Sequence, residues 1–352
     1  MYDTPKFVIL DVNGITLANA RCPTVVASKG EDNALYCIKD TYIANSKYSQ
    51  SETPSVQADS TGNTIYLLDT ARKLKKLDMS GANPTVIDVD PDQTFSDFSV
   101  NSEGYVLAIV DNSSIASVRL YNKTSGFHPI ATGDNYACLM GGLASNPNSF
   151  HYLASAFTNS EQKVFRTLSP SGGSGPEEFI NTGTDTSSIG LNWAFPCLSQ
   201  VRTVDRLFIR LKWDSRDQNA FYEVENATHT PVKHVITQFK IITGMIADDD
   251  YIYVSGSDSK GSGGVVAHPL AVSNPPAGNV DPRDKVILAF GQYTVSAISR
   301  AAAGDPKGVV TFSGQRTTDG SQVVATINLA GEVAVSSDKA PIAEQLIVIN
   351  PK

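Results

Sequence analysis

One short apolar segment recurs seven times along the 352 residues, and nothing else limits the fold so strongly. Its copies are Asn33-Ala-Leu-Tyr-Cys-Ile-Lys-Asp40, Asn63-Thr-Ile-Tyr-Leu-Leu-Asp69, Gly104-Tyr-Val-Leu-Ala-Ile-Val-Asp111, Phe150-His-Tyr-Leu-Ala-Ser155, Arg206-Leu-Phe-Ile-Arg-Leu-Lys-Trp-Asp214, Asp250-Tyr-Ile-Tyr-Val-Ser-Gly256 and Lys307-Gly-Val-Val-Thr-Phe-Ser313. Their starts lie 30 to 57 residues apart, the spacing of a four-stranded repeat unit.

The surroundings of each copy repeat as well. A small, weakly apolar strand precedes it, as in Ser55-Val-Gln-Ala58, Gly244-Met-Ile-Ala247 and Ser296-Ala-Ile-Ser299. The intervening turn is polar, as in Asp59-Ser-Thr-Gly-Asn63 and Asp248-Asp-Asp250, because such residues tolerate φ > 0 or bond their own backbone. A third strand of alternating character follows, for example Lys73-Leu-Lys-Lys-Leu-Asp78, and several units add a fourth, such as Pro84-Thr-Val-Ile-Asp88. In a radial array the innermost strand is crowded and takes small residues. The second is covered on both faces and takes a continuous apolar run. The expectation is an all-β fold, one β-propeller domain over 1–352, with seven blades of four antiparallel strands; six or eight blades are the alternatives. Lys6-Phe-Val-Ile-Leu-Asp11 and Gln345-Leu-Ile-Val-Ile349 are expected to share one blade and close the ring. Asn13-Gly14 signals a hairpin before Ile15-Thr-Leu-Ala18. No window keeps a 3.6-residue period for three turns, and Val295 to Gly304 is expected to give one helical turn at most.

The strand pattern in Asn63-Thr-Ile-Tyr-Leu-Leu-Asp69 and Asp250-Tyr-Ile-Tyr-Val-Ser-Gly256 resembles the broad YVTN, NHL and TolB-like group of propellers. That resemblance implies binding platforms, solute-facing sensors and a minority of enzymes. It transfers no catalytic residue, since fold alone assigns no function.

A formal net charge of −8 with no long basic run argues against nucleic acid. No stretch approaches the ~18 apolar residues of a membrane span. Met1-Tyr2-Asp3-Thr4-Pro5 carries no signal-peptide pattern. Abundant Ser, Thr, Asn and Asp lean toward an extracytoplasmic protein whose signal is absent here; a cytoplasmic one is the alternative. Cys22, Cys37, Cys138 and Cys197 allow three pairings. Four buried thiols is the default reading, and two bridges in an exported protein the other.

Two candidate sites stand out. Asp88, Asp90, Asp92 and Asp97 alternate as oxygen ligands for Ca²⁺ would, but Pro91 stiffens the segment and no Glu completes a calcium loop. A solvated loop is the default there. Trp193, Arg210, Trp213 and Asp214 form an aromatic and charged group that could stack on a sugar or anchor a protein, with core or rim packing as the default reading. The long Gly/Ser/Thr-rich stretch Ser169 to Asn192 lies beside it. His128, His151, His229, His234 and His268 fall in different units with no metal-binding spacing. No nucleophile elbow or phosphate loop is present. The chain therefore reads as a non-catalytic binding or scaffold propeller for a protein or glycan partner. The alternatives are a lyase or hydrolase acting in the axial funnel and a subunit of an envelope or surface assembly.

Overall fold

The computed structural model describes residues 7–10, 22–29, 35–38, 43–44, 53–54, 56–59, 62–81, 84–101, 104–110, 117–122, 126–130, 136–141, 150–156, 159–170, 179–181, 197–203, 206–211, 218–225, 232–270, 284–300, 305–337 and 343–349. They form strands and turns with no helix among them. The first are β1 (Phe7–Leu10), β2 (Cys22–Ser28) and β3 (Leu35–Ile38), then a small pair, β4 (Ile43–Ala44) with β5 (Thr53–Pro54). Six four-stranded antiparallel meanders follow. Blade II is β6 (Val56–Ala58), β7 (Thr64–Leu68), β8 (Leu74–Asp78) and β9 (Thr85–Asp88). Blade III is β10 (Phe95–Val100), β11 (Val106–Val110), β12 (Ser117–Asn122) and β13 (Gly126–Ile130). Blade IV is β14 (Tyr136–Gly141), β15 (Phe150–Ala156), β16 (Asn159–Pro170) and β17 (Phe179–Asn181). Blade V is β18 (Cys197–Arg202), β19 (Leu207–Leu211), β20 (Ala220–Glu225) and β21 (Val232–Val235). Blade VI is β22 (Ile241–Ala247), β23 (Tyr251–Ser257), β24 (Gly263–Pro269) and β25 (Lys285–Leu288). Blade VII is β26 (Tyr293–Ser299), β27 (Val309–Arg316), β28 (Gln322–Asn328) and β29 (Val333–Ser337). The last described strand, β30 (Ala343–Ile349), returns to the first ones, and blade I has the order β1-β3-β2-β30. Here β30 lies parallel on β2 and β1 parallel on β3. The first strands β6, β10, β14, β18, β22 and β26 each touch the next, and β30 touches both β26 and β6. The chain is a β-propeller.

The apolar runs explain why the sheets stack. Alternate residues of a strand face opposite ways. In β7, Ile65 and Leu67 pack with Val26, Ile38 and Ile349 of blade I, while Tyr66 and Leu68 pack with Phe95, Phe98 and Val106 of blade III. In β23, Ile252 and Val254 face Phe208 and Phe221 of blade V, and Tyr253 faces Val310 and Phe312 of blade VII. A second strand is thus buried on both sides, which is what a continuous apolar run demands. Outer strands are half-open; in β9, Val86 is 38% and Ile87 51% exposed. In blades III to VII the ladder from first to second strand shifts register once, as between Phe95 and Asp97 or Val295 and Ala297. Such bulges add twist, which lets flat-sided sheets fan around an axis.

Turns between strands reuse one device. Asp258 Oδ1 accepts the N–H groups of Lys260 and Ser262, both at 2.8 Å, and Gly261 takes φ +82°. Asn328 does the same for Ala330 and Glu332, ahead of Gly331. Asp69 serves Ala71 and Lys73, but Arg72 stands in the left-handed position at φ 61°.

Three expectations are corrected. The copy at residues 33–40 is the third strand of its blade, and Cys22–Ser28 takes the second position. Residues 295–299 of the Ala-rich stretch lie in β26, in keeping with the strand expected at Ser296–Ser299, because Val295 and Ile298 enter the blade VI–VII core and Ala297 the core shared with blade I. Cys22 and Cys37 are not thiols but a disulfide, with Cα atoms 5.6 Å apart. The stretch 169–192 contributes the end of β16 and all of β17. The Asn13-Gly14 hairpin lies outside the described residues.

Gly261→Ala places a Cβ with nothing within 4 Å, so only the left-handed backbone resists it. A loss of about 1 kcal/mol in urea unfolding is expected. Gly314→Ala sets its Cβ 2.1 Å from the Thr294 carbonyl oxygen of the neighbouring strand. Its loss should be clearly the larger of the two, and equal losses would refute the strand packing described for β26 and β27.

Candidate functional site

Polar side chains collect where one blade meets the next, and most are bonded across that seam. Gln345 of β30 donates to the Val56 carbonyl of β6 (3.0 Å). Gln57 of β6 donates to the Phe98 carbonyl (3.0 Å) and accepts from the Val100 N–H (3.0 Å), both in β10. Ser299 of β26 and Ser313 of β27 accept the N–H groups of Val348 and Ala343 in β30. The two serines are buried and the two glutamines half-buried, and each satisfies a backbone group that a first strand cannot pair within its own sheet.

Among the described residues, the seam between blades V and VI holds the densest titratable group. Arg206 grips Glu223 with two parallel bonds, Nε to Oε1 at 2.8 Å and Nη2 to Oε2 at 2.7 Å, and donates to the Leu270 carbonyl across the seam. His234 Nε2 lies 3.1 Å from Glu223 Oε2, and its ring stacks on Phe221 at 4.9 Å. His268 meets His234 edge-on at 5.1 Å, and its Nδ1 is 2.6 Å from Asp284 Oδ1. Burial pushes the Glu223 carboxyl up, but the bonds from His234 and Arg206 and the guanidinium charge outweigh it and bring it to about 2. Burial holds His234 below its ordinary value, against the smaller opposing pull of Glu223. A neutral His234 donating Nε2–H to Glu223 leaves Nδ1 as a buried acceptor with no partner, as observed.

A second assembly runs over three blades. Asp248, buried in the turn between β22 and β23, accepts from Asp250 N, Tyr251 N, Tyr253 Oη (2.6 Å), Gly308 N (3.0 Å) and Arg300 Nη1 (3.1 Å). Burial alone would raise this carboxyl, yet those donors bring it below the usual range. Burial, and then the bond to Asp248, push the Tyr253 phenol up. Arg300 also donates to the Asp305 carbonyl oxygen, and the Asp305 carboxylate pairs with Lys29 beyond β2. Blades VI, VII and I are linked in a row.

The expected site residues fall as follows. Trp193, Trp213 and Asp214 lie outside the described residues. Arg210 is buried in β19 and donates to the Ile242 carbonyl of β22, so its guanidinium serves the blade V–VI seam. Burial lowers it to about 10, which leaves it charged at neutral pH. Asp88, in β9, pairs with Lys75, which also reaches Asp69 at 3.4 Å. Asp97 accepts from the Phe98 N–H at 2.8 Å. Beside Asp90 and Asp92, Lys73 Nζ donates to the Pro91 carbonyl at 2.8 Å. Two ammonium groups thus occupy the surroundings of the Asp cluster, and among the described residues no group of three or more His, Cys, Asp and Glu is placed to hold a metal ion. The sequence reading passed over Asp248 as an ordinary turn residue and saw no link between His234 and His268. For Asp248 a signal existed: an Asp opens the turn before an Ile-Tyr strand at both Asp59–Tyr66 and Asp248–Tyr253. For the histidines none did, because they sit on different blades.

No protein-family profile and no curated protein matches the chain. Among solved structures it is similar to the Cps50 (Swd1) β-propeller domain of Myceliophteria thermophila, at 12% identity and TM-score 0.46 over 84% of this chain and 87% of that one. It is also similar to a streptogramin B lyase, at 13% and 0.45 over 88% and 90%. A third is the virginiamycin B lyase of Staphylococcus aureus, at 12% and 0.46 over 88% and 92%.

The Glu223 carboxyl is lowered on folding, so its contribution is complete above the ordinary carboxylate value and is lost as pH falls toward about 2. The lowered His234 acts in the same sense at higher pH, losing its contribution as pH falls through the ordinary imidazole value. Urea midpoints should therefore fall from neutral pH to pH about 3, and Glu223→Gln should be less stable at neutral pH with a shallower acid slope. Parallel slopes would remove Glu223 from this role. Excess calcium should leave the melting temperature unmoved, since Lys75 holds Asp88; a rise would restore Asp88, Asp90, Asp92 and Asp97 as a ligand set.

Proposed function

We propose that this propeller is a non-catalytic binding platform that presents one loop face to a protein or glycan partner outside the cytoplasm. One observation carries the reading: at every seam whose side chains are described, polar side chains bond the neighbouring blade. Gln57, Gln345, Ser299 and Asp248 are groups that a catalytic funnel would turn toward substrate. Here they brace the ring, which suits a rigid support whose loops supply recognition. The Cys22–Cys37 bridge favours an oxidising compartment. Trp193, Trp213 and Asp214 are the proposed contacts, because aromatic rings dominate recognition surfaces. Arg210, tying β19 to β22, is proposed to hold the strand that precedes Trp213 and Asp214 in the chain.

Binding to a glycan panel and to surface-protein extracts is the test, followed by affinity measurement on variants. Trp193→Ala and Trp213→Ala are expected to weaken the strongest hit about tenfold or more at unchanged melting temperature. Unchanged affinity in both variants removes the site. Turnover of a bound sugar or ester removes the non-catalytic reading.

A further inference from the structure

We propose that the Cys22–Cys37 bridge is a redox latch on blade I, so that a dithiol reductant which opens it releases β30 from the ring. The two sulfurs join β2 to β3, and β30 lies directly on β2, with Cys22 opposite Ala343 and Val26 opposite Ile347. Cys22 and Cys37 are 1% and 0% exposed and share one apolar cluster with Ala343, Leu346 and Val348 of β30 and with Ala297 and Val324 of blade VII. A thiolate therefore reaches the bridge only after this cluster, with β30 in it, has opened.

The dependence runs both ways. β2 and β3 pair over only four residues, Thr24–Ala27 with Leu35–Ile38. A two-stranded hairpin of that size is marginal unaided. The bridge holds it, and the hairpin is the bed on which β30 rests. What favours the open ring favours reduction, and reduction must favour the open ring to the same degree. The rest of the hold on β30 is the parallel ladder, the burial of Ala343, Leu346, Val348 and Ile349 in two apolar clusters, the Ser299 and Ser313 hydroxyls, the bond from Gln345 to the Val56 carbonyl, and Lys29 N–H to the Ile349 carbonyl.

The step balances. One thiolate of the dithiol attacks a cysteine sulfur, the S–S bond breaks, and the other cysteine leaves as a thiolate that takes a proton from water. The second thiolate of the dithiol then displaces the first cysteine. Two electrons pass; Cys22 and Cys37 end as thiols and the dithiol as a disulfide.

Hydrogen exchange on the full chain, before and after dithiothreitol and thiol capping, tests the latch. Peptide masses report the state of Cys22 and Cys37 separately from Cys138 and Cys197. Reduction should raise exchange across residues 343–349 about tenfold or more and leave residues 241–257 of blade VI unchanged. Ser299→Ala, which removes the acceptor for Val348 N–H with both cysteines intact, should speed reduction of the bridge several-fold. Any of four results overturns the proposal: Cys22 and Cys37 capped without reductant, unchanged exchange at 343–349 after reduction, an equal rise over all blades, or a reduction rate indifferent to Ser299→Ala.

Discussion

Two-sided burial of the second strand is the constraint on which this structure depends. Leu67 and Leu68 are adjacent, yet they lie in different cores, one shared with blade I and one with blade III. Burying such a side chain contributes roughly 1.5–3 kcal/mol, while fixing each residue's backbone costs about 1–2 kcal/mol. A blade flanked on one side keeps only half of that gain. Stability therefore belongs to seams more than to sheets, and the core is a set of clusters between blades.

Apolar stacking by itself leaves blades free to slide or rotate against each other. The buried polar ties remove that freedom, because hydrogen bonds have direction and apolar contacts do not. Gln57 contacts both Phe98 and Val100, which sets the stagger of β6 against β10. Asp248 gathers its own turn and then Gly308 and Arg300 of the next blade, so the loop and the seam share one anchor. Buried ion pairs such as Arg206–Glu223 add little net stability over apolar packing, but leaving one partner alone is costly. That asymmetry makes them good guides to orientation.

Much of the strand pattern was legible because burial on both faces writes itself as a run without polar interruption. Six of the seven apolar copies occupy the second strand as read, among them Ile65 to Leu68 and Ile252 to Val254. The copy at Leu35 to Ile38 was misplaced for a physical reason: Leu35, Cys37 and Ile38 are as buried as a second strand because β1 covers them from outside. Hydrophobicity reports burial, not radial order. That the strands at Phe7–Leu10 and Ala343–Ile349 share one sheet was expected, but the parallel pairing of β30 onto β2 and the Cys22–Cys37 bond link residues by geometry alone. The same holds for Arg210, whose charge suggested a surface role and whose actual neighbour is the Ile242 carbonyl. The Asp run, for which a solvated loop was the default reading, is flanked by Lys73 and Lys75 of the preceding alternating strand.

Arg72 holds a left-handed backbone in a turn where Gly261 and Gly331 hold it elsewhere in the ring. Such a conformation costs an ordinary residue on the order of 1 kcal/mol, and the chain carries that cost without losing the turn. Asp69 still clasps Ala71 and Lys73 as its counterparts do. A motif that survives the loss of its most demanding residue will drift freely everywhere else, and copies of one ancestral unit can then diverge until only their shape testifies to kinship.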